Sequence, residues 1–246
     1  MSHFFVTSAQ IAGDTLTILG DDVNHMKNVL RMRSGEAFTA ADENGMFYRC
    51  EIDELDKVQV TAKILWKEEG SSELSSKIYL FQGLPKSDKM ELIIQKAVEL
   101  GAYEIVPVST KRAIVKLDAK KEASKLKRWQ AIAEGAAKQS GRMLVPQIHE
   151  LMTFSEALQM AKTLDINVIP YECAKGMNGT REIFGSIKPG MSVGIFIGPE
   201  GGFEESEVEK AKEAGVHPVT LGKRILRTET AGLTTLSILM YLLEEE

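Results

Sequence analysis

From Lys77 onward the chain alternates short apolar runs of β character with amphipathic stretches of helical period. That alternation restricts it to a parallel sheet covered by helices. Residues 78–82 read as a strand. Residues 87–101 read as a helix, with Met90, Ile93, Ile94, Ala97, Val98 and Leu100 on one face and Gly101 as its stop. Strands at 105–108, 167–170, 193–197 and 216–221 follow, with helices at 120–140, 155–163, 204–214 and from about 230 to Leu243. Two of the strand ends carry glycine-marked loops. The first is IGPEGGF, residues 197–203, and the second is LGKRILRTETA, residues 221–231. Backbone-rich loops at the ends of parallel strands are where such sheets place ligands.

The first 68 residues have a different texture. Residues 15–19 and 58–66 alternate, and the cluster Asp42-Glu43-Asn44-Gly45 separates 37–40 from 46–52. Short β segments broken by turn residues predict a small β-barrel, interrupted by a helix over 22–31. The aromatic residues Phe4, Phe5, Phe47 and Tyr48 are expected in its core. A polar stretch, 67–73, is the expected linker. This divides the chain into a domain at 1–70 and another at 74–246.

Hydrophobic content of 43% and charged content of 26% fit a soluble globular protein. No apolar run is long enough to span a bilayer, and no secretory signal opens the chain. Cys50 and Cys173 stand in no metal-type spacing, so no metal is expected and a reducing, cytoplasmic location fits. The net charge of −5 is unevenly distributed. It is −5 over residues 1–70, +5 over 71–150 and −5 over 151–246. A basic middle can form a phosphate-binding face or simply a solvated helix surface.

The chain has no GKS or GKT element of a phosphate cradle, and no G-x-G-x-x-G follows a strand. Glu200, Glu204, Glu205 and Glu207 would repel a polyphosphate, so the first loop suits hydroxyls, an amine or a positive centre. In the second loop Leu221, Gly222, Ile225 and Leu226 offer apolar walls and accessible backbone. Arg227, Thr228 and Glu229 stand at the start of the last helix. Thr228 is a candidate N-cap, and Glu229 in the first turn favours the helix dipole. Arg227 gains nothing from the dipole there, which makes it a candidate ligand contact.

These loops resemble those of the ribosomal RNA small subunit methyltransferase E family of SPOUT (trefoil-knot) methyltransferases. The resemblance extends over nearly the whole chain. It includes Lys86, Lys89 and Gln95-Lys96-Ala97-Val98-Glu99-Leu100-Gly101, then Lys111-Arg112, Trp129 and Ala136-Ala137-Lys138-Gln139-Ser140-Gly141-Arg142. Near the N-terminus it includes His25 and Val29-Leu30-Arg31-Met32-Arg33-Ser34-Gly35; His3 departs from the usual Arg. The resemblance implies an α/β fold: a C-terminal SPOUT parallel-sheet domain with a knot, and an N-terminal PUA-like β-barrel that helps bind RNA. It implies a homodimer that methylates N3 of a uridine in 16S ribosomal RNA, within the small ribosomal subunit. S-adenosyl-L-methionine is the implied donor and S-adenosyl-L-homocysteine the product.

The implied donor site comprises Tyr171 and Glu172, then Ile197, Gly198, Pro199, Glu200 and Gly201. The second loop adds Leu221, Gly222, Ile225, Leu226, Arg227, Thr230 and Ala231. Arg227, Glu229 and Glu200 are the catalytic candidates. Arg227, or Lys86 or Arg142 from the basic segment, would stabilise the uracil oxygens, and either Glu229 or Glu200 would take the N3 proton, directly or through water. Arg31, Arg33, Lys86, Lys89, Arg112, Lys138 and Arg142 are the expected RNA contacts. The last helix is apolar on most sides, which a dimer interface or a monomer core would explain. Two other classes compete with this reading. One is a non-catalytic RNA-binding protein with a degenerate knot, and the other is an α/β enzyme acting on a nucleotide without RNA.

Overall fold

The computed structural model describes residues 2–69, 72–172 and 176–244. Gly70 and Ser71 of the expected linker, and Cys173, lie outside the described residues. Two compact units result. One comprises Met1–Glu73 with Ala137–Val145, the other Leu74–Ala136 with Pro146–Glu246.

The first unit is a six-stranded sheet built from β1 (His3–Val6), β2 (Ile11–Ala12), β3 (Thr15–Leu19), β4 (Ala37–Asp42), β5 (Met46–Leu55) and β6 (Gln59–Glu69). Their order is β1-β4-β5-β6-β3-β2, with β1 parallel to β4 and the other pairs antiparallel. Strand alternation sorts the side chains. Phe4, Phe38, Tyr48, Cys50 and Ile52 pack into one apolar core with Leu16, Ile18, Met26 and Val60. Phe5 and Phe47 fall one residue out of that phase and sit half-buried, the Phe47 ring stacked on His3 at 5.7 Å. Of the four aromatics expected in the core, these two therefore lie on the other face of the sheet, because side chains alternate with period two. The β4–β5 turn is held by Asp42. Its Oδ1 accepts the N–H groups of Asn44 and Met46, its Oδ2 accepts the Tyr48 hydroxyl at 2.8 Å, and Gly45 supplies the positive φ of 79°. Burial, reinforced by Asp42, pushes the Tyr48 phenol up to about 12.

The helix expected over 22–31 is short and irregular. α1 (Asp21–Asn24) passes directly into a π-helical turn, His25–Val29, in which the Leu30 N–H donates to the His25 carbonyl. Only Val23 and Met26 are buried here, too few apolar positions to hold three regular turns against the sheet.

The second unit runs β7 (Lys77–Gly83), α2 (Lys89–Glu99), β8 (Ala102–Ser109), α3 (Ala119–Ser140), β9 (Gln147–Ile148), β10 (Met152–Thr153), α4 (Phe154–Ala161) and β11 (Ile166–Pro170). It continues with α5 (Met177–Ser186), β12 (Ser192–Ile197), α6 (Glu205–Glu213), β13 (His217–Val219) and α7 (Thr228–Leu243). The last turn of α3, from Ala137, belongs to the first unit. The sheet is parallel throughout, in the order β10-β8-β7-β12-β11-β13, with β9 beside β8. Its central strands are apolar on both faces, as a sheet covered on both sides requires. Phe81 of β7 stacks on Phe196 of β12 at 4.4 Å.

Two details differ from expectation. α5 has no counterpart in the sequence reading, because its glycines at 179 and 185 mask a face carried only by Thr180 and Phe184. The strand expected over 216–221 ends at Val219. Beyond it the Thr220 N–H turns to the Thr180 hydroxyl and the Gly222 N–H to the Thr220 hydroxyl, which leads the chain out of the sheet.

Cys50 is fully buried, and burial pushes its thiol up to about 12. In a Cys173→Ser chain at about pH 8, a thiol reagent is expected to leave the native protein unlabelled and to react fully in denaturant, because only the thiolate is nucleophilic. Rapid labelling of the native chain would contradict this packing.

Candidate functional site

Three parallel strands end at one cleft of about 540 Å³. Pro170 ends β11 and Tyr171 and Glu172 follow it, Ile197 ends β12 and residues 198–203 follow it, and residues 220–222 and 224–227 follow β13; Lys89, Thr228 and Ala231 complete the lining. The shape of the glycine loop depends on close backbone approaches. A Cβ on Gly83, at the end of β7, would lie 2.7 Å from Pro199 Cδ and 2.8 Å from its nitrogen. A Cβ on Gly198 would lie 3.0 Å from the Gly202 backbone. The turn closes with the Gly202 N–H on the Pro199 carbonyl, and Arg112 Nη1 donates to the Gly201 carbonyl at 3.0 Å.

A buried hydrogen-bond clasp joins this loop to the last helix. The Thr228 hydroxyl donates to the Gly198 carbonyl at 2.6 Å and accepts from Gln82 Nε2 at 2.9 Å. Gln82 is fully buried in β7 and also donates to the Gly83 carbonyl. Thr228 is accordingly the first residue of α7 and not its cap. Arg227 occupies the cap position with extended backbone, because the Thr228 hydroxyl is spent on Gly198. Gln82 is the residue that sequence reasoning missed; a lone amide inside an apolar strand was its signal.

The loop carboxylates do not present a bare anionic surface. Glu200 accepts the Lys86 N–H at 3.0 Å and Lys89 Nζ at 2.9 Å. Burial pushes the Glu200 carboxyl up, but Lys89, the loop's own N–H and that of Lys86 outweigh it and hold it below the usual range. The same hydrogen bond raises Lys89. Glu204 pairs with Lys111 at 2.9 Å, and buried Glu207 closes a capping box with Glu204 at the start of α6. Lys89 also stands 3.6 Å from Glu229 Oε2, a buried oxygen with no hydrogen-bond partner among the described residues.

The expected donor residues Tyr171, Glu172, Ile197, Gly198, Pro199, Glu200 and Gly201 all line the cleft. So do Leu221, Gly222, Ile225, Leu226, Arg227 and Ala231. Thr230 does not. It is exposed on the opposite side of α7, since the 100° step from one helical residue to the next turns it away. Glu229 reaches the cleft only through Lys89 and otherwise borders a groove along α7. That groove, of about 530 Å³, is lined by Leu233, Ile238, Tyr241 and Leu242; Tyr241 is 82% exposed.

The expected RNA contacts separate into two kinds. Arg31, Arg33, Lys86 and Arg112 are exposed. Lys89 lines the cleft between two carboxylates, and Lys138 is held by Asp22 at 2.7 Å. Arg142 is 4% exposed, and its guanidinium and the Met143 N–H both meet the carboxylate of Glu73. Such a buried ion pair serves to fix the chain locally and offers little cationic surface to a phosphate. Among the described residues no group of three His, Cys, Asp or Glu side chains could hold a metal ion.

Comparison with known proteins bears on this geometry. A family model described as an RNA methyltransferase domain matches residues 72–240, and one described as an RNA methyltransferase PUA domain matches residues 18–65. A Bacillus subtilis protein named ribosomal RNA small subunit methyltransferase E is 39% identical over 98% of this chain and 96% of its own length. Its namesake from Mesomycoplasma hyopneumoniae is 35% identical over 96% and 98%. A crystal structure of the Neisseria gonorrhoeae protein of that name, bound to S-adenosyl methionine, superposes with a TM-score of 0.84 at 35% identity, covering 98% of each chain. The expected fold class, an α/β SPOUT domain with a PUA-like N-terminal unit, is the one found.

Thr228→Val removes the hydroxyl that joins Gly198 to Gln82 while keeping the side-chain volume. It is expected to lower stability by about 1–3 kcal/mol, the cost of stranding buried polar groups. Thr228→Ser is expected to restore it. Thermal melts of the three proteins check this, and equal melting temperatures would remove the clasp from the account.

Proposed function

We propose that this chain, which belongs to the ribosomal RNA small subunit methyltransferase E family, methylates N3 of a uridine in 16S ribosomal RNA with S-adenosyl-L-methionine. The observation that carries the reading is the cleft at the ends of β11, β12 and β13. Its walls fit that donor on their own terms. Gly198, Gly201 and Gly222 leave backbone groups uncovered, and Leu221, Ile225 and Leu226 give an apolar slot suited to a flat base. Gly222 holds a φ of 110°, which a side chain would strain. When bound there, the donor supplies an electrophilic methyl group on a sulfonium.

The chain's own residues then orient the nucleophile and manage its proton. Arg227, at the entrance to α7, stabilises negative charge on the uracil oxygens as N3 loses its proton. Glu229 Oε2 accepts that proton, directly or through water. That oxygen is buried and has no hydrogen-bond partner among the described residues, whereas Glu200 is occupied by Lys86 and Lys89. Glu200 instead holds Lys89 in place beside Glu229. Lys86 and Arg112, with Arg31 and Arg33, contact phosphates, which position an RNA without reading its sequence. Among the described residues no helix is long and apolar enough to cross a membrane, and the work is assigned to the cytoplasm, on the small ribosomal subunit.

The same reading makes the protein a homodimer. The exposed apolar groove of α7 is the surface a second copy would cover, since a contiguous apolar face on a folded unit marks an interaction site.

Mass spectrometry of 16S nucleosides tests the reaction. RNA or small subunits from a deletion strain are expected to gain 3-methyluridine on incubation with the protein and S-adenosyl-L-methionine; absence of any methyl gain would refute it. Arg227→Ala and Glu229→Gln are each expected to lower turnover by about a hundredfold or more, and Glu229→Gln, outside the cleft lining, is expected to leave donor binding by calorimetry preserved. Glu200→Gln is expected to lose less than Glu229→Gln, and the reverse order would transfer the proton to Glu200. Ile238→Asp with Leu242→Asp is expected to convert a dimer to a monomer in sedimentation velocity. A wild-type protein that already sediments as a monomer would reject the interface.

A further inference from the structure

The turn that follows the π-helical segment of the first unit combines features with no role in the packing of that unit. Val29 is 62% exposed and Leu30 39% exposed, side by side at the surface. Arg31 adopts a left-handed backbone with a φ of 54°, a conformation that costs a non-glycine residue free energy. The turn is nonetheless held firmly. The Leu30 N–H donates to the His25 carbonyl and the Met32 N–H to the Met26 carbonyl. Met26 is fully buried, and Met32 packs against the same core. Strain held by a buried anchor on each side fixes which way Val29, Leu30 and Arg31 point.

Charge identifies the partner. Residues 1–70 carry a net charge of −5, yet 23–35 contain Lys27, Arg31 and Arg33 and no acidic residue. Arg31 and Arg33 are both exposed, and neither has an ion pair among the described residues. A rigid apolar pair beside two unpaired guanidiniums, in an otherwise acidic unit, matches a polyanion that also offers flat apolar faces. Unpaired RNA has both. Its bases present apolar surfaces against which side chains can insert, and its phosphates attract Arg.

We infer that the turn at residues 29–33 is an RNA-probing tip, in which Val29 and Leu30 insert against an unpaired base while Arg31 and Arg33 take the flanking phosphates. This rests on the assignment of ribosomal RNA as substrate. It adds a recognition element, selective for unpaired nucleotides, that lies outside the cleft. Because the tip is already ordered, little conformational entropy is lost on docking.

Unmethylated 16S RNA from a deletion strain is the probe, with affinity measured over a series of salt concentrations. Val29→Ser with Leu30→Ser is expected to weaken binding about tenfold, the effect of exposing one Leu-sized side chain, with an unchanged salt slope. Arg31→Gly with Arg33→Ala is expected to make the slope shallower by about 1.4 to 1.8, two phosphate contacts, because glycine keeps the backbone of residue 31 unstrained. On a fully paired RNA duplex the serine variant is expected to bind as the wild type does. Circular dichroism and donor titration are expected to match the wild type for both variants. Wild-type affinity of the serine variant for 16S RNA would overturn the tip, as would its dissociation into monomers, which would mark the turn as a protein interface. A wild-type protein that binds no RNA at all would take down the substrate assignment and the tip together.

Discussion

The site exists because the backbones of β7 and of the glycine loop come within side-chain distance of each other. Gly83 admits Pro199 where any Cβ would collide with it, and at Gly198 a Cβ would sit tightly, 3.0 Å from the Gly202 backbone. The Thr228 hydroxyl then locks the arrangement through Gly198 and Gln82. These contacts lie at the ends of the central strands β7 and β12, where Gln82 and Thr228 are buried and an unpartnered polar group costs stability. A threonine that might have capped α7 is therefore committed to the loop, and Arg227 is left at the cap position with its side chain available. The same three residues thus set the shape of the cleft and the exposure of its cation.

Electrostatics in the cleft follow from how its charges are paired. Glu200 and Glu229 flank Lys89, beside a cleft whose lining also holds Glu172, Arg224 and Arg227. Hydrogen bonds keep Glu200 ionised and Lys89 protonated, so both are poor at exchanging protons near neutrality. Glu229 is distinguished by the lack of a hydrogen bond at Oε2.

The first unit shows another division of labour. One face of its sheet is an apolar core, and the other carries Phe5, Phe47 and the nearly buried His3. Desolvation lowers the basicity of His3, which keeps it neutral and stacked on Phe47. Basic side chains at 27–33 are concentrated in one turn, and the acidic ones are spread elsewhere. An acidic unit can therefore present a locally cationic surface without losing its overall charge.

Much of this was legible in the chain itself. The apolar periods located β7, α2, β8, α3, β12 and α7 to within a few residues, because strand and helix periods differ and their apolar positions cannot be exchanged. The glycine loops marked the walls of the cleft, since close backbone approach and positive φ restrict those positions to glycine. Tertiary structure decided what periodicity does not encode. It buried Arg142 on Glu73, committed the Thr228 hydroxyl to Gly198, and set Lys89 between two carboxylates more than a hundred residues away in sequence. Local sequence specifies which elements form and where they must bend. Which polar groups meet is settled only when elements distant in the chain pack together and bring their side chains within hydrogen-bond reach of one another.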